Sequence, residues 1–571
     1  MLIAIRSDFW KVVHLSSLLF SVSNAILLLV LAVTIGTAGV GSSKEPQSSE
    51  VRAGDDGSDL EVGTASSSMV KDALSDEWAA WLNAEGRRFW GEPPKPCHDL
   101  LHLRRVYLDL LGRVPSVSEI RDYLAMDVSI RRKVIVDQLV FHLGSRGGDY
   151  RRSFARNWGR HWRSVMIASA SQNEAITAPL ESWLSKQFAG DDGFDTVMSS
   201  LVELKGSGLG SEYFRLSQSS PATYAANLSR VLLGVRLECT QCHDHPFTDW
   251  KQEDFWGIAA FYSDLNNNTQ TATSRVAGAG VIEVDGVTYT SKVLWAEPDK
   301  KITTRSELAS WLTSSTNVQF APVAVNRYWQ HLVGRGIFLA VDDLDTATPS
   351  QRVLLDALAT KFATEKFPIR SLVAAICKSD WYQAIAMESD SVEQVVSNSV
   401  SDFKSIDKTS GDGFTSSFQR PFKTLSPEQV FDSLEQALIL PISRLDPSAA
   451  RWNSERSQVV SRLNESASKS PDEYTSGIPQ ALVMMNGRIT ADAMNLDSSR
   501  LLRAVLESPF MSDADRIESL FLATLSRFPT TAELDAFGSY VRQHAGKDEK
   551  QRAHGEILWA LVNSPEFVLC R

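Results

Sequence analysis

Near each end of the chain one pattern recurs. Tyr107-Leu-Asp-Leu-Leu-Gly-Arg113-Val-Pro115-Ser116-Val-Ser-Glu119-Ile120 aligns without gaps on Phe521-Leu-Ala-Thr-Leu-Ser-Arg527-Phe-Pro529-Thr530-Thr-Ala-Glu533-Leu534. Each copy ends an apolar helix, supplies an Arg and a Pro turn, and opens the next helix with a Ser or Thr three residues before a Glu. Turn chemistry of this kind joins consecutive helices, so the echo reads as repeated architecture in preference to a duplicated binding corner. Arg113 and Arg527 are expected to bond helix C-terminal carbonyls.

Helical spacing extends over most of the chain. Trp78, Trp81, Leu82 and Phe89 fall at helical intervals, and such patterns dominate to about Leu265. Thr304 with Glu307 forms a capping box, and Ser426-Pro427-Glu428-Gln429 opens a last helical block. Between these blocks the character changes: Val281-Ile-Glu-Val-Asp285-Gly286-Val-Thr-Tyr289 sets β-branched residues around Asp-Gly, a strong hairpin signal. At 571 residues the chain is too long for a single core. The predicted fold is mainly α, multi-helical and two-lobed, with a small β-hairpin between the lobes. Residues 75–265 form one helical domain, 266–302 a hairpin connector and 303–571 a second helical domain, interrupted by a surface loop near 388–417.

The N-terminus speaks to compartment. Arg6 and Lys11 precede an apolar stretch from about Val12 to Val40, whose strongest part is Ala25–Ile35, and Gly36-Thr37-Ala38 supplies small residues for cleavage. The stretch is also long enough to span a bilayer, with its positive flank inside. Residues 1–40 are therefore expected to act as a signal peptide or as an anchor in the inner membrane, with 41–74 a flexible linker. Export to the periplasm or cell envelope follows in either case. A net charge of −11 argues against a nucleic-acid partner, which would need clustered Lys and Arg. The partner expected instead is a redox or envelope protein.

Five cysteines leave at least one unpaired. Cys97, Cys377 and Cys570 are isolated; only Cys239 and Cys242 lie close together, in Cys239-Thr-Gln-Cys242-His243-Asp244-His245-Pro246-Phe247. A helix from about Ala222 should end at Gly234, and Thr248 or Asp249 should cap the next helix, which carries Phe255, Trp256, Ala259 and Tyr262. Three chemistries suit the loop. Cys-x-x-Cys-His is the attachment pattern of c-type haem, with Cys239 and Cys242 on the two vinyl groups and His243 on the iron. Cys239, Cys242, His243 and His245, with Asp244 binding or orienting, would alternatively suit zinc or another divalent metal. A Cys239–Cys242 disulfide is the third. For haem, His161, His331 and Met166 are candidate sixth ligands.

The run LGVRLECTQCHDHPFTDWKQEDFWGIAAFY, with LRRVYLDLLGRVPSVSEI and RNWGRHW before it, resembles the signature of domain of unknown function 1549, abundant in planctomycetes and related bacteria. SELASWLTSSTNVQFAPVAVNRYWQHLVGRGIFLAVDDL resembles domain of unknown function 1553, and RPFKTLSPEQVFDSL, IPQALVMMNG, LSRFPTTAEL and LWALVNSPEF extend that likeness towards Arg571. The resemblance implies export and, for many members, association with a separate cytochrome-c-like domain, with no established activity. This chain departs from that pattern. It has no second Cys-x-x-Cys-His upstream, only Cys97-His98, and the hairpin near Gly286 stands where some relatives carry a long inserted β-sandwich.

A second polar cluster, Asn326, Arg327, Trp329 and His331, shares one predicted helix, with Arg327 and His331 on one face and Asp342 and Asp343 following. His161 lies between Trp158 and Trp162. Both clusters read either as a ligand-contacting face or, preferentially, as buried hydrogen-bonded networks. Three functions remain open: a haem-bearing redox protein, a metal-dependent hydrolase or polymer-binding envelope protein, and a structural protein stapled at its cysteine loop. The sequence has no phosphate loop, Gly-x-Ser-x-Gly elbow or His-Glu-x-x-His helix.

Overall fold

The computed structural model describes residues 65–167, 174–204, 220–264, 280–295, 301–314, 317–386, 418–438, 456, 458–463, 484–485, 487–496, 499–544 and 546–571. The expected leader or anchor and the surface loop near 388–417 lie outside these residues. The described residues open with α1 (Ala65–Trp90), so the linker expected to run to residue 74 meets helix from residue 65; Ala65-Ser-Ser-Ser-Met-Val-Lys-Asp-Ala-Leu contains no Gly or Pro to stop it. Next come α2 (Asp99–Leu111), α3 (Val117–Leu124), α4 (Arg131–Val140), α5 (Gly147–Met166), α6 (Glu174–Ala189), α7 (Phe194–Glu203), α8 (Pro221–Leu233) and α9 (Gln252–Ala260). Strands β1 (Val281–Val284) and β2 (Val287–Thr290) pair antiparallel, with Val284 opposite Val287. Asp285 and Gly286 both take positive φ, as a two-residue hairpin turn requires. Helices resume with α10 (Arg305–Leu312), α11 (Phe320–Val333), α12 (Pro349–Thr364), α13 (Ile369–Lys378) and the short α14 (Asp380–Gln383). After β3 (Lys423–Thr424) come α15 (Pro427–Leu438), α16 (Arg488–Ala493), α17 (Arg500–Leu506), α18 (Asp513–Leu525), α19 (Thr531–Arg542), α20 (Lys547–Val562), α21 (Pro565–Val568) and β4 (Leu569–Cys570), which pairs with β3. The chain is mainly helical with a small antiparallel hairpin between helical regions, as the sequence indicates. Among the described residues no helix is long and apolar enough to cross a membrane.

Two apolar cores form. The larger draws side chains from both sides of the hairpin, from Trp78 to Phe418, with Leu522 added from the C-terminal block. The smaller gathers Leu425 to Cys570 and takes in Leu108 and Val114 from the first half. Helix α2 serves both, because its apolar residues run almost all round it: Leu103, Tyr107 and Leu110 enter one core and Leu108 the other. Its two buried arginines anchor the C-terminal elements. Arg104 donates to the carbonyls of Thr524 and Phe567 at 2.8 Å each. Arg105 donates to those of Arg571 at 2.7 Å and Ala384 at 3.0 Å.

The two echoing corners fold alike. Ser116 caps α3 and Thr530 caps α19, each in a capping box with its Glu. The arginines do not bond helix C-terminal carbonyls, as the sequence suggested. Arg113 instead grips Glu119 through two nitrogens at 2.9 and 2.8 Å. Arg527 grips Glu533 at 2.8 and 2.9 Å and Glu566 at 2.8 Å. A bidentate guanidinium–carboxylate contact is stronger than a bond to a neutral carbonyl, and the capping Glu accepts it on both oxygens, one of them shared with the cap N–H.

The two cores are joined across α5 and α15 by Asp432, which is 4 % exposed and accepts from Arg160 at 2.5 Å. Burial alone would raise this carboxyl, but Arg160, Arg156 and Arg456 bring it down to about 2. A folded value below the unfolded value of about 3.9 means that the pair stabilises the fold above pH ~3.9 and that this contribution disappears as pH falls through about 2. We expect Asp432→Ala to cost about 2–3 kcal/mol at neutral pH, since Arg160 loses this acceptor and keeps Glu181, at 2.9 Å. In chemical unfolding, the gap between wild type and variant should close progressively below pH 4.

Candidate functional site

The cysteine loop is built outward from the end of α8. Gly234 closes that helix in the left-handed conformation, φ +61°, and its carbonyl accepts from Leu344 N at 2.7 Å. A Cβ here would stand 2.7 Å from Val323 Cγ2 and 3.0 Å from Leu344 Cβ, so only glycine lets the chain pass. Arg327, on α11, fixes the same helix end from below. It donates to the carbonyls of Val231 at 3.0 Å and Arg230 at 2.9 Å, and pairs with Asp342.

Beyond Gly234 a single 3-10 turn, Glu238–Gln241, carries the motif. Leu237 and Thr240 are fully buried and act as its roots; Thr240 Oγ1 donates back to Leu237 O at 2.7 Å. Cys239, Cys242, His243 and Asp244 all face solvent, and both thiols are free. The loop is pinned at Gln241, whose carbonyl accepts from Trp256 Nε1 and from Gln252 Nε2, each at 3.1 Å. The helix after the loop starts later than the sequence suggests. Neither Thr248 nor Asp249 caps it; Asp254 accepts from Lys251 N at 2.9 Å, and Asp244 reaches across to accept from Gln252 N at 2.9 Å. The hairpin buttresses this helix: Lys292 N bonds Gly257 O at 3.1 Å, and Tyr289 Oη donates to Gln252 Oε1 at 3.1 Å.

The two histidines of the loop are held in opposite tautomers. His243 Nδ1 lies 2.7 Å from the carbonyl oxygen of Asp244, which can only accept. In the neutral ring the proton is therefore on Nδ1 and Nε2 keeps its lone pair, the arrangement of a histidine able to bind a metal centre. His245 Nδ1 faces the backbone N–H groups of Phe247 at 3.2 Å and Thr248 at 3.0 Å, which can only donate. Its Nδ1 is the acceptor, so neutral His245 carries its proton on Nε2. This His is used up in folding Pro246–Thr248, and the ligand set Cys239, Cys242, His243, Asp244 and His245 does not converge. Among the described residues no three His, Cys, Asp or Glu side chains gather as a metal site. Nor do Cys239 and Cys242 pair as a disulfide.

Sequence reasoning missed Asp345, which accepts from Trp250 Nε1 at 2.7 Å and so joins the loop to the 342–346 segment. Asp343 lies beside it, its carboxyl raised by burial and then by the Asp345 carboxylate. The alternation Asp342-Asp343-Leu344-Asp345, with the buried Leu344 as pivot, was the available signal.

The second cluster separates into structural parts. Asn326 clasps Phe338 through both backbone groups, at 2.8 and 3.1 Å. Arg327 is committed to the end of α8. His161 and His331 stack with ring centroids 3.9 Å apart against Trp158. Burial first, and then Lys423, pushes His331 down to about 3; burial, and then His331 itself, drives His161 well below the usual range. Met166 is buried at the end of α5. Among the described residues no hydrogen bond or ring contact joins His161 or His331 to the cysteine loop. Two cavities form elsewhere, one bounded by residues of α5, α6 and α13 and one by residues of α5, α7 and α8; the loop lines neither.

A multi-helical scaffold that displays a Cys-x-x-Cys-His loop on its surface defines the class. Residues 80–267 match the family described as Protein of unknown function (DUF1549), and residues 304–402 match Protein of unknown function (DUF1553). The chain belongs to the proteins that pair these two domains in this order. No curated protein matches it, and no solved structure does.

Two outcomes test this geometry. In reduced protein made without haem attachment, a thiol reagent should titrate Cys239 and Cys242 quickly and the buried Cys97, Cys377 and Cys570 only on unfolding. Gly234→Ala should cost about 1–3 kcal/mol through left-handed strain and the clash with Val323, read in chemical unfolding.

Proposed function

We propose that the protein is exported to the cell envelope, carries c-type haem on Cys239-Thr-Gln-Cys242-His243, and exchanges electrons with an envelope partner. The carrying observation is the His243 contact: Nδ1 lies 2.7 Å from Asp244 O, so in the neutral ring Nε2 is free as a ligand beside two free, exposed thiols. The donor set fits the group. Cys239 and Cys242 would hold it through thioether bonds and His243 through the iron; bound there, it supplies one-electron chemistry. The protein's own part is to keep the motif rigid. Leu237 and Thr240 root it, Trp256 and Gln252 hold Gln241 O, and Asp244 is tied to the start of α9. His161 and His331 are half-buried against Trp158 and Met166 is buried, and none is proposed as a ligand.

Exposure of the loop has a consequence. Water around the site favours the more highly charged oxidised form, so the reduction potential should fall in the lower part of the range open to c-type haem. The test is the full chain expressed with a c-type haem maturation system. We expect a covalently retained chromophore with a sharp reduced α-band, absent in Cys239→Ser/Cys242→Ser. In His243→Gln the chromophore should stay attached with an altered spectrum. Fully matured protein without covalent haem would sink the reading, and elemental analysis would then decide for or against zinc on the same thiols.

A further inference from the structure

Past the motif, His245 N bonds Trp250 O at 2.8 Å and closes a tight turn that carries Phe247. Phe247 is 90 % exposed, and its ring meets that of His245 at a centroid distance of 6.2 Å. At the end of the same turn, Trp250 packs edge-on against Trp295 at 5.3 Å, and Trp295 is itself 43 % exposed. A single exposed apolar side chain is ordinary on a protein surface. Exposed aromatic rings beside a reactive loop are the kind of centre that protein contacts use. The charge around them is negative. Glu238, Asp244 and Asp249 are exposed, and Asp343 and Asp345 are half-buried, the latter bonded to Trp250. Burial, and then the adjacent Asp345 carboxylate, raise the Asp343 carboxyl. Segment 236–251 supplies two cations, Arg236 and Lys251, and Arg236 is already shared with Asp342 at 3.8 Å.

We propose that this face docks a basic electron-transfer protein, with Phe247 at the centre of the contact and the surrounding carboxylates facing lysines and arginines of the partner. The inference rests on the haem reading of the loop, which makes this face the place where electrons pass; the surface itself belongs to the folded chain with or without haem. Charge selects the occupant. A second copy would set one acidic rim against another, and like charges brought together across an interface are costly. Anionic lipid headgroups and nucleic acid would be repelled in the same way. A basic protein is attracted instead, and attraction at long range raises the encounter rate without lengthening the contact. A small apolar centre with a charged rim suits a transient redox encounter, which buries less than about 1,200 Å².

The probe is a small lysine-rich cytochrome c, with the same protein acetylated on its lysines as the charge control. Binding is titrated with the haem-free full chain, and electron exchange is followed by stopped flow with the haem-loaded chain over a range of salt. We expect saturable binding of the lysine-rich form, little of the acetylated form, and an exchange rate that falls steeply as salt rises. Phe247→Ala should weaken binding about fivefold or more, as loss of a contact centre does. Glu238→Gln/Asp249→Asn should slow exchange about fivefold at low salt and leave it nearly unchanged at high salt. Phe510→Ala, which removes another exposed ring in the C-terminal block, should alter neither readout. No binding of the probe, equal binding of its acetylated form, or equal affinity in Phe247→Ala and Phe510→Ala would overturn the proposal. The two readings fail separately. A chain that retains no haem still has its docking face decided by the titration, and a haem-loaded chain that fails the titration loses the docking face but keeps the haem.

Discussion

The buried guanidinium of Arg327 is the contact on which the site depends. It closes the end of α8 by bonding the carbonyls of Arg230 and Val231, and it holds Asp342 from the next segment of the chain. Burial alone would raise the Asp342 carboxyl, yet Arg327 and Arg230 keep it below the usual carboxylate range. Loss of this one side chain would strand two helix-end carbonyls and leave the Asp342 carboxylate with Arg230, at 3.2 Å, as its nearest cation, a heavier penalty than loss of an exposed pair. A helix from the first matched domain, a helix from the second and the 342–346 segment are thus fixed at a single point.

The segment after Gly234 inherits that rigidity. The motif turn is too short to have a core of its own, and it borrows one through Leu237 and Thr240. Its outward face is then free for chemistry. The hairpin contributes at second hand, through Tyr289 on Gln252 and Lys292 on Gly257, and thereby secures the helix whose side chains hold Gln241 O. A loop held by buried neighbours while its cysteines and His243 face water is suited to surface exchange, with a partner as the expected recipient.

Local features were legible in the sequence where a short-range rule governs them. The capping boxes at Ser116, Thr304 and Thr530, the Asp-Gly turn and the Gly234 helix end all formed where spacing placed them. Spacing could not show partner choice across the chain. Arg113 and Arg527 prefer carboxylates that only the folded corner brings round, and Asp345 reaches Trp250 only because Leu344 N bonds Gly234 O. The same blindness applied to the site. The residue types of Asp244-His245 suit metal binding, but their backbone neighbours claim them first, and only the geometry separates His243 from His245. Arg327 and Asn326 read as part of a polar cluster, and the structure shows that their work is structural.

The function proposed for the loop rests on that separation of the two histidines. It is measured most directly by long-range proton–nitrogen correlation of histidine side chains in selectively labelled protein made without haem. Assignments would come from His243→Gln and His245→Gln, at a pH where both rings are neutral. A protonated Nδ1 is expected for His243 and a protonated Nε2 for His245. The same tautomer on both rings, or a His243 exchanging freely between the two forms, would contradict the geometry of the loop.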